Sequence, residues 1–174
     1  SFDGADLSRA TMNDIEAQGA NFSRARLAGT SLRSADLKGA NFLRSEAAGV
    51  SFQDADLTGA TLTSGDFSHA SFRSTNLTGA NLVNGRFDGA DFRDADLKRA
   101  TLIGADLSNT RGLTQDQVDE ACAGAGTRLP RGIVARGCNG ARMIYRQQWS
   151  QPDMKMVPAM PAMPAARYVV ITGR

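Results

Sequence analysis

From Phe2 to Leu107 an apolar residue returns at every fifth position, and the phase never slips. The series runs from Phe2, Leu7, Met12 and Ala17 through to Phe92, Leu97, Leu102 and Leu107, and twenty of its 22 members are Leu, Phe or Met. Two residues before each member the chain is small, as at Ala5, Ala10, Ala20, Ala40 and Ala105. A period of five fits neither the helix nor the ordinary strand, so it demands a repeat architecture. One unit cannot bury its own apolar side chain, but stacked units can bury one another's. A narrow interior explains the small residues, because larger ones would overpack it. The exceptions trade volume locally. Ile15 is followed by the small centre Ala17, and Val50 follows the small centre Ala47.

Each unit reads small, Asp or Asn, Leu or Phe, polar, polar, as in Ala5-Asp6-Leu7-Ser8-Arg9 and Ala80-Asn81-Leu82-Val83-Asn84. Over residues 2–107 this pattern closely resembles the pentapeptide-repeat family. The resemblance implies an all-β solenoid, a right-handed quadrilateral β-helix with one pentapeptide per side and four per turn. The repeat stretch would then form about 5.5 coils, roughly 26 Å of column at a strand-like spacing of ~4.8 Å. The organisation expected is a β-helix over 1–110, a helical cap over 111–138 and an extended Pro- and Met-containing tail over 139–174.

Every twentieth residue shares a face. The corner residues Gly19, Gly39, Gly59 and Gly79 stack, and this column suggests turns whose third residue needs positive φ. Arg99 breaks it. Asn21, Asn41 and Asn81 align with Thr61 and Thr101, so amides are expected to hydrogen-bond from coil to coil. Glu16, Asp36, Asp56 and Asp96 form an acidic ladder interrupted by Asn76. Leu43, Val83 and Ile103 form an apolar stripe at outward positions, a candidate interaction surface for the tail or a partner protein. The lone histidine, His69, falls at a corner and reads as an exposed bystander.

Beyond Leu107 the period ends. Thr114 and Gln117 fit a capping box, Asp116 suits the first turn of a short helix, and Gly124 can stop it. Leu113, Val118, Ala121 and Cys122 can close over the last coil, whose open end would otherwise expose unpaired backbone. The sequence around Gly112-Leu113-Thr114-Gln115 and Thr127-Arg128-Leu129-Pro130 is similar to the terminal cap of many bacterial pentapeptide-repeat proteins. Two cysteines, Cys122 and Cys138, are too few for zinc, and no base stands near either to make it a nucleophile. They form a disulfide or remain two free thiols. The disulfide is the expectation and implies an oxidising compartment, periplasmic or secreted, whereas buried thiols would fit a cytoplasmic protein.

The tail carries Tyr145, Trp149, Tyr168 and Val170 as candidate contact residues. Tyr168 to Thr172 has strand character, and the segment from Val157 to Ala166 favours an extended conformation. Met154, Met156, Met160 and Met163 could in principle hold Cu(I), but with no His or Cys among them apolar contact is the better reading.

Residues 1–110 carry a net charge of −3 and residues 111–174 a net of +5, neither extreme enough to indicate direct nucleic-acid binding. No apolar run is long enough to span a membrane. The chain opens at Ser1, inside a repeat, so its start says little about targeting. No nucleophile, base and oxyanion hole assemble in the sequence, so no enzyme activity and no cofactor are expected. The function expected is a non-catalytic structural or protein-interaction module that presents flat laddered faces and a C-terminal arm to a protein partner. The open N-terminal end is a candidate homodimer surface. The resemblance supplies an alternative. Quinolone-resistance members resemble a DNA duplex in size and negative charge and act on gyrase, so the chain could be a DNA-mimicking modulator of a type II topoisomerase. The acidic ladder fits this alternative, while the modest net charge and unbroken phase do not. A third reading makes the repeat an accessory part of a larger enzyme.

Overall fold

The computed structural model describes residues 1–124 and 126–138. Its only helix among these residues is α1, Gln115–Glu120. The rest is a column of coils joined by single-residue parallel pairings, which up to Arg111 each link a residue to the one twenty positions later. One series runs Asn21, Asn41, Thr61, Asn81, Thr101; another runs Glu16, Asp36, Asp56, Asn76, Asp96. The tail residues Tyr145, Trp149, Tyr168 and Val170, and the four tail methionines, lie outside the described residues.

The destinations of the backbone N–H groups account for the period of five. Take the unit that ends on the corner residue Arg9. The N–H of its centre, Leu7, donates to Arg26 O on the next coil (2.8 Å), and the N–H of Arg9 donates to Ala28 O (2.9 Å). The N–H of the next small residue, Ala10, folds back onto Leu7 O (3.0 Å) and closes a β-turn. One coil on, Arg26 N–H donates to Ala5 O (2.9 Å), which secures the residue before each centre. The residue just after each centre has no backbone acceptor in this scheme. The Asp or Asn side chain two positions earlier accepts its hydrogen bond: Asp6 Oδ1 accepts from Ser8 N (3.0 Å), Asn41 Oδ1 from Leu43 N (3.0 Å) and Asp96 Oδ1 from Lys98 N (2.9 Å). This is the physical reason that Asp and Asn precede Leu or Phe so often. It also corrects the expected coil-to-coil amide ladder. The Asn21, Asn41 and Asn81 carbonyls accept from a backbone N–H in their own unit, not from the next coil.

The interior is apolar and rich in aromatic rings. Phe2, Phe22 and Phe42 stack with ring centroids 4.9 and 4.8 Å apart. Phe42 then meets Phe52 edge-on at 5.4 Å, and the aromatic contacts continue through Phe72, Phe67, Phe87 and Phe92. Each buried ring contributes about 1.5–3 kcal/mol by leaving water, and well-placed pairs add about 0.5–1.5. Glycine makes room where two Phe centres share a side. A Cβ on Gly65 would lie 2.5 Å from the Phe67 ring, and one on Gly85 would lie 2.7 Å from that of Phe87. Some small positions carry hydroxyls instead of methyls. Buried Thr30 and Thr75 donate to Leu7 O and Phe52 O (both 2.7 Å), so their polar atoms are satisfied. Ser45 Oγ, beside the Gly65 gap, is the one buried side-chain polar atom without a partner among the described residues.

The corners bear on the glycine column anticipated from sequence. Gly19, Gly39, Gly59 and Gly79 do have φ near +65°, between 63° and 67°. So do corners without glycine: Arg99 has φ 57°, Ser34 54°, Asp54 60° and His69 58°. The left-handed corner belongs to the coil geometry, and glycine only relieves its steric cost there.

Coil-type pairing runs past residue 110. Arg111 pairs with Asp91, Cys122 with Thr101 and Arg128 with Asp106. Three sides of one more coil are therefore present, and α1 stands between Arg111 and Cys122, where the fourth would be. Thr114 and Gln117 form a reciprocal capping box. Gln117 Nε2 also donates to Phe92 O (3.0 Å) and Ala95 O (2.8 Å), which ties the helix to the last complete coil.

Candidate interaction faces

The period gives the column four outer faces, and they differ chiefly in charge. The acidic ladder comes together as a stack, since Glu16, Asp36, Asp56, Asn76 and Asp96 pair in order. Its charge is partly neutralised by the neighbouring column. Lys38 Nζ sits 3.0 Å from Asp36 and 3.2 Å from Asp56, bridging two rungs, and Lys98 Nζ is 2.9 Å from Asp96. Gln18 Nε2 also donates to Asp36 (2.6 Å). The Lys38 hydrogen bond holds the Asp36 carboxyl below the usual range, and the same contact raises Lys38. Burial pushes Asp56 upward, but hydrogen bonds from Thr58 and Lys38 outweigh it, and the net displacement is downward. Asp96 is lowered first by the Lys98 N–H and then by the Lys98 ammonium.

On the opposite face acidic and basic residues are mixed. Arg26 lies between Asp6 (3.3 Å) and Glu46 (3.8 Å), Arg86 reaches Asp66 (3.6 Å), and Arg128 reaches Asp106 (3.2 Å). These exposed pairs set a charge pattern more than they stabilise. A third face stacks Ser31, Ser51, Ser71 and Asp91. Asp91 is 7% exposed and is gripped by the Arg93 guanidinium, whose Nε lies 2.9 and 3.0 Å from its two oxygens. That fork holds the Asp91 carboxyl below the ordinary range.

The remaining face carries no charge along most of its length. Its two columns are Asn41, Thr61, Asn81, Thr101 and, beside them, Leu43, Thr63, Val83, Ile103. Leu43 is 36% and Ile103 39% exposed, and Val83 is half-buried. The stripe read from the sequence is therefore a surface feature of the described column. At its N-terminal end a shallow depression is lined by Asp3, Asn21, Ser23, Arg24, Leu43 and Arg44, with Arg24 clamped to Asp3 (2.6 Å).

At the other end, Cys122 and Cys138 are joined by a disulfide, with Cα atoms 4.4 Å apart. The loop it closes is tied to α1 and across its own base. Gln115 exchanges bonds with Val134 in both directions (3.0 Å each), Arg136 pairs with Asp119 (2.9 Å), and Gly137 N donates to Ala123 O (3.1 Å). His69 is exposed, and its ring packs over Gly89 one coil on, where any Cβ would collide with it at 2.5 Å. Among the described residues no group of three or more His, Cys, Asp or Glu side chains could hold a metal ion, and no helix is long and apolar enough to cross a membrane.

Sequence reasoning missed the lysine bridges across the acidic ladder and the Asp91–Arg93 fork. The signal was present in both cases. A basic residue two positions after an acidic one, as in Asp36-Leu37-Lys38, Asp91-Phe92-Arg93 and Asp96-Leu97-Lys98, emerges on the same side of the coil.

No curated protein matches the chain. Among solved structures it is similar to the pentapeptide repeat protein Rfr23 from the cyanobacterium Cyanothece 51142, with 21% identity over 71% of this chain and 90% of that one and a TM-score of 0.48. It is similar to a pentapeptide repeat protein from the Arabidopsis thaliana thylakoid lumen, with 32% identity over 72% and 83% and a TM-score of 0.41. It is also similar to a trypsin-treated form of QnrB1, a plasmid-mediated fluoroquinolone resistance protein, with 27% identity over 78% and 75% and a TM-score of 0.33. The profile of pentapeptide repeats matches residues 1–39, 25–63, 51–89 and 75–111, in eight copies. With that match spanning the whole column, the chain belongs to the pentapeptide repeat family, and its fold is a right-handed β-helical solenoid.

Proposed function

We propose that this protein is a non-catalytic interaction module that presents its laddered faces, and the arm beyond Cys138, to a protein partner. The observation that carries this reading is the division of labour in each unit. The interior takes the apolar and small side chains, while the charged and amide groups are dealt out at fixed spacing over four outer faces. Such a surface suits recognition by shape and charge pattern over several coils. The bridged cysteines favour a periplasmic or secreted location, and alkylation of the protein isolated without reductant tests this, since free thiols at Cys122 and Cys138 would point to the cytoplasm.

Affinity capture with the intact protein, run beside a variant carrying Asp36→Lys and Asp56→Lys and another carrying Val83→Lys, tests the main reading. A partner retained by the wild type and lost with one face variant only supports it. Partners retained equally by all three would refute use of these faces.

The acidic ladder favours a second reading, DNA mimicry toward a type II topoisomerase. Lys38 and Lys98 count against it, because they interrupt the negative stripe at three of its four acidic rungs. A gyrase supercoiling assay separates the two: no change at large protein excess removes this alternative.

A further inference from the structure

The face that carries the serine column holds a second pattern, one of sign. Outside the Asp91–Arg93 fork, its charges from Asp14 to Asp94 fall one to a coil: Asp14, Arg33, Asp54, Arg73 and Asp94. All five are exposed. The sign therefore alternates at every coil, a step of about 4.8 Å. The two arginines directly follow their centres, and the three aspartates take the next position, the corner. On other faces, charges this close form ion pairs from coil to coil, as Arg26 does with Asp6, Lys38 with Asp56 and Arg86 with Asp66. Arg33 and Arg73 each stand between aspartates on the coils before and after. Yet neither arginine, and none of the three aspartates, forms an ion pair among the described residues.

We propose that two copies of this protein associate side by side, antiparallel, through this face. Spacing selects a second copy over other occupants. Same-face residues of a strand recur at about 6.6 Å and those of a helix at about 5.4 Å, so over five coils either drifts out of step by about half a coil or more. A second column has the same pitch by construction. Sign then selects the direction and the register. With a two-fold axis between the coils of Ser51 and Ser71, Arg33 faces the partner's Asp94 and Asp54 faces the partner's Arg73. The two-fold repeats both contacts, so four opposite-charge contacts form. A parallel pair in register sets like charge on like, and so does an antiparallel pair whose axis passes through the coil of Ser51. Four residues across and five coils along give roughly 250 Å², well below the roughly 800 Å² per partner of a stable interface, so the dimer is transient and sensitive to salt. The inference goes beyond the partner reading above and does not depend on it.

Sedimentation equilibrium of the full chain at low and high ionic strength tests this. The wild type should show a monomer–dimer equilibrium at low ionic strength, weakened about tenfold by added salt. Arg73→Asp and, separately, Asp54→Arg each turn two of the four contacts repulsive, and each should weaken self-association about tenfold. Both exchanges use residue types that the repeat already carries at equivalent positions. Aspartate follows the centre at Asp3 and Asp88, and arginine takes left-handed corners at Arg24, Arg44 and Arg99. An equal mixture of the two variants should associate as the wild type does, because Asp54 of one still meets Arg73 of the other and the two introduced charges oppose each other. That recovery also shows that both variants are folded. A wild type that stays monomeric at low ionic strength would overturn the proposal. Self-association that salt and both variants leave intact would place the contact on another surface and overturn it too. So would a mixture that associates no better than either variant alone. Only this protein is present, so these outcomes are separate from those of the capture experiment.

Discussion

Two columns of the molecule share the twenty-residue spacing and almost nothing else. Inside, Phe52, Phe72 and Phe92 stack ring on ring, fully buried. Outside, Asp36, Asp56, Asn76 and Asp96 stack with their lysines in water. The inner column is a volume constraint, where each side chain is sized against its neighbours above, below and across. The outer column is an electrostatic one, where a residue can change type if its Asp or Asn still bonds the N–H two positions on. Sequence freedom should therefore be low inside and high outside, with the corners between.

Five substitutions, one of them added to another, and one titration would break or sharpen that contrast. Phe72 touches Phe52, Phe67, Phe87 and Phe92, so Phe72→Ala should cost the most, about 3–5 kcal/mol, read by denaturant unfolding. A loss below 1 kcal/mol would mean the interior collapses around gaps and is no strict volume constraint. Gly85→Ala adds one methyl against the Phe87 ring and should cost about 1–3 kcal/mol. Adding Phe87→Leu should recover part of it, because the two residues share one space.

At the corner the sign reverses. Ser74 sits at φ 54°, and Ser74→Gly should raise stability by roughly 0.5–1 kcal/mol once relief of the left-handed backbone is set against the extra freedom of the unfolded chain.

Acid titration addresses the outer columns together. Asp6, Asp36, Asp56, Asp66, Asp91, Asp96 and Asp106 all have carboxyls held below their ordinary value of 3.8. At pH near 3 the unfolded chain therefore binds more protons than the folded one, so stability is full above about pH 4 and falls as the pH drops through the folded values. Lys38 and Lys98 are raised, so their contribution holds below their ordinary 10.5 and fades as the pH rises beyond it. Thermal melts should show a plateau between these limits, and a melting temperature flat from pH 5 to 2 would remove the carboxylates from the account. Lys38→Ala should have the smallest effect, a slight loss that added salt diminishes further.

The column was legible because its interior is written in two letters, large and small, at one spacing. The corners were legible only where glycine stood. Arg99 breaks the glycine column by residue type but adopts the same left-handed φ, because neighbouring coils dictate the backbone there. The Asn column misled in the opposite way. Its alignment every twenty residues is real, yet each amide serves its own unit, and alignment alone does not say where a hydrogen bond goes. On the faces, residue type was readable but pairing was not, since Lys38 bridging two aspartates depends on side-chain reach across coils. The acidic ladder therefore read as more negative than it is.

The uninterrupted count of twenty per coil also gears the two ends of the column together. Removing one pentapeptide from the middle would keep the backbone pairing scheme, since every side uses the same one, but would set the large and small centres on either side of the cut against new neighbours. It would also turn everything beyond the deletion back by a quarter turn relative to everything before it. Cys122, Cys138 and α1 would then crown a different face, and Val83 and Ile103 would no longer stand in line with Leu43. Length changes that preserve function should accordingly come in multiples of twenty residues, while steps of five would put both the packed centres and the outer surfaces out of alignment.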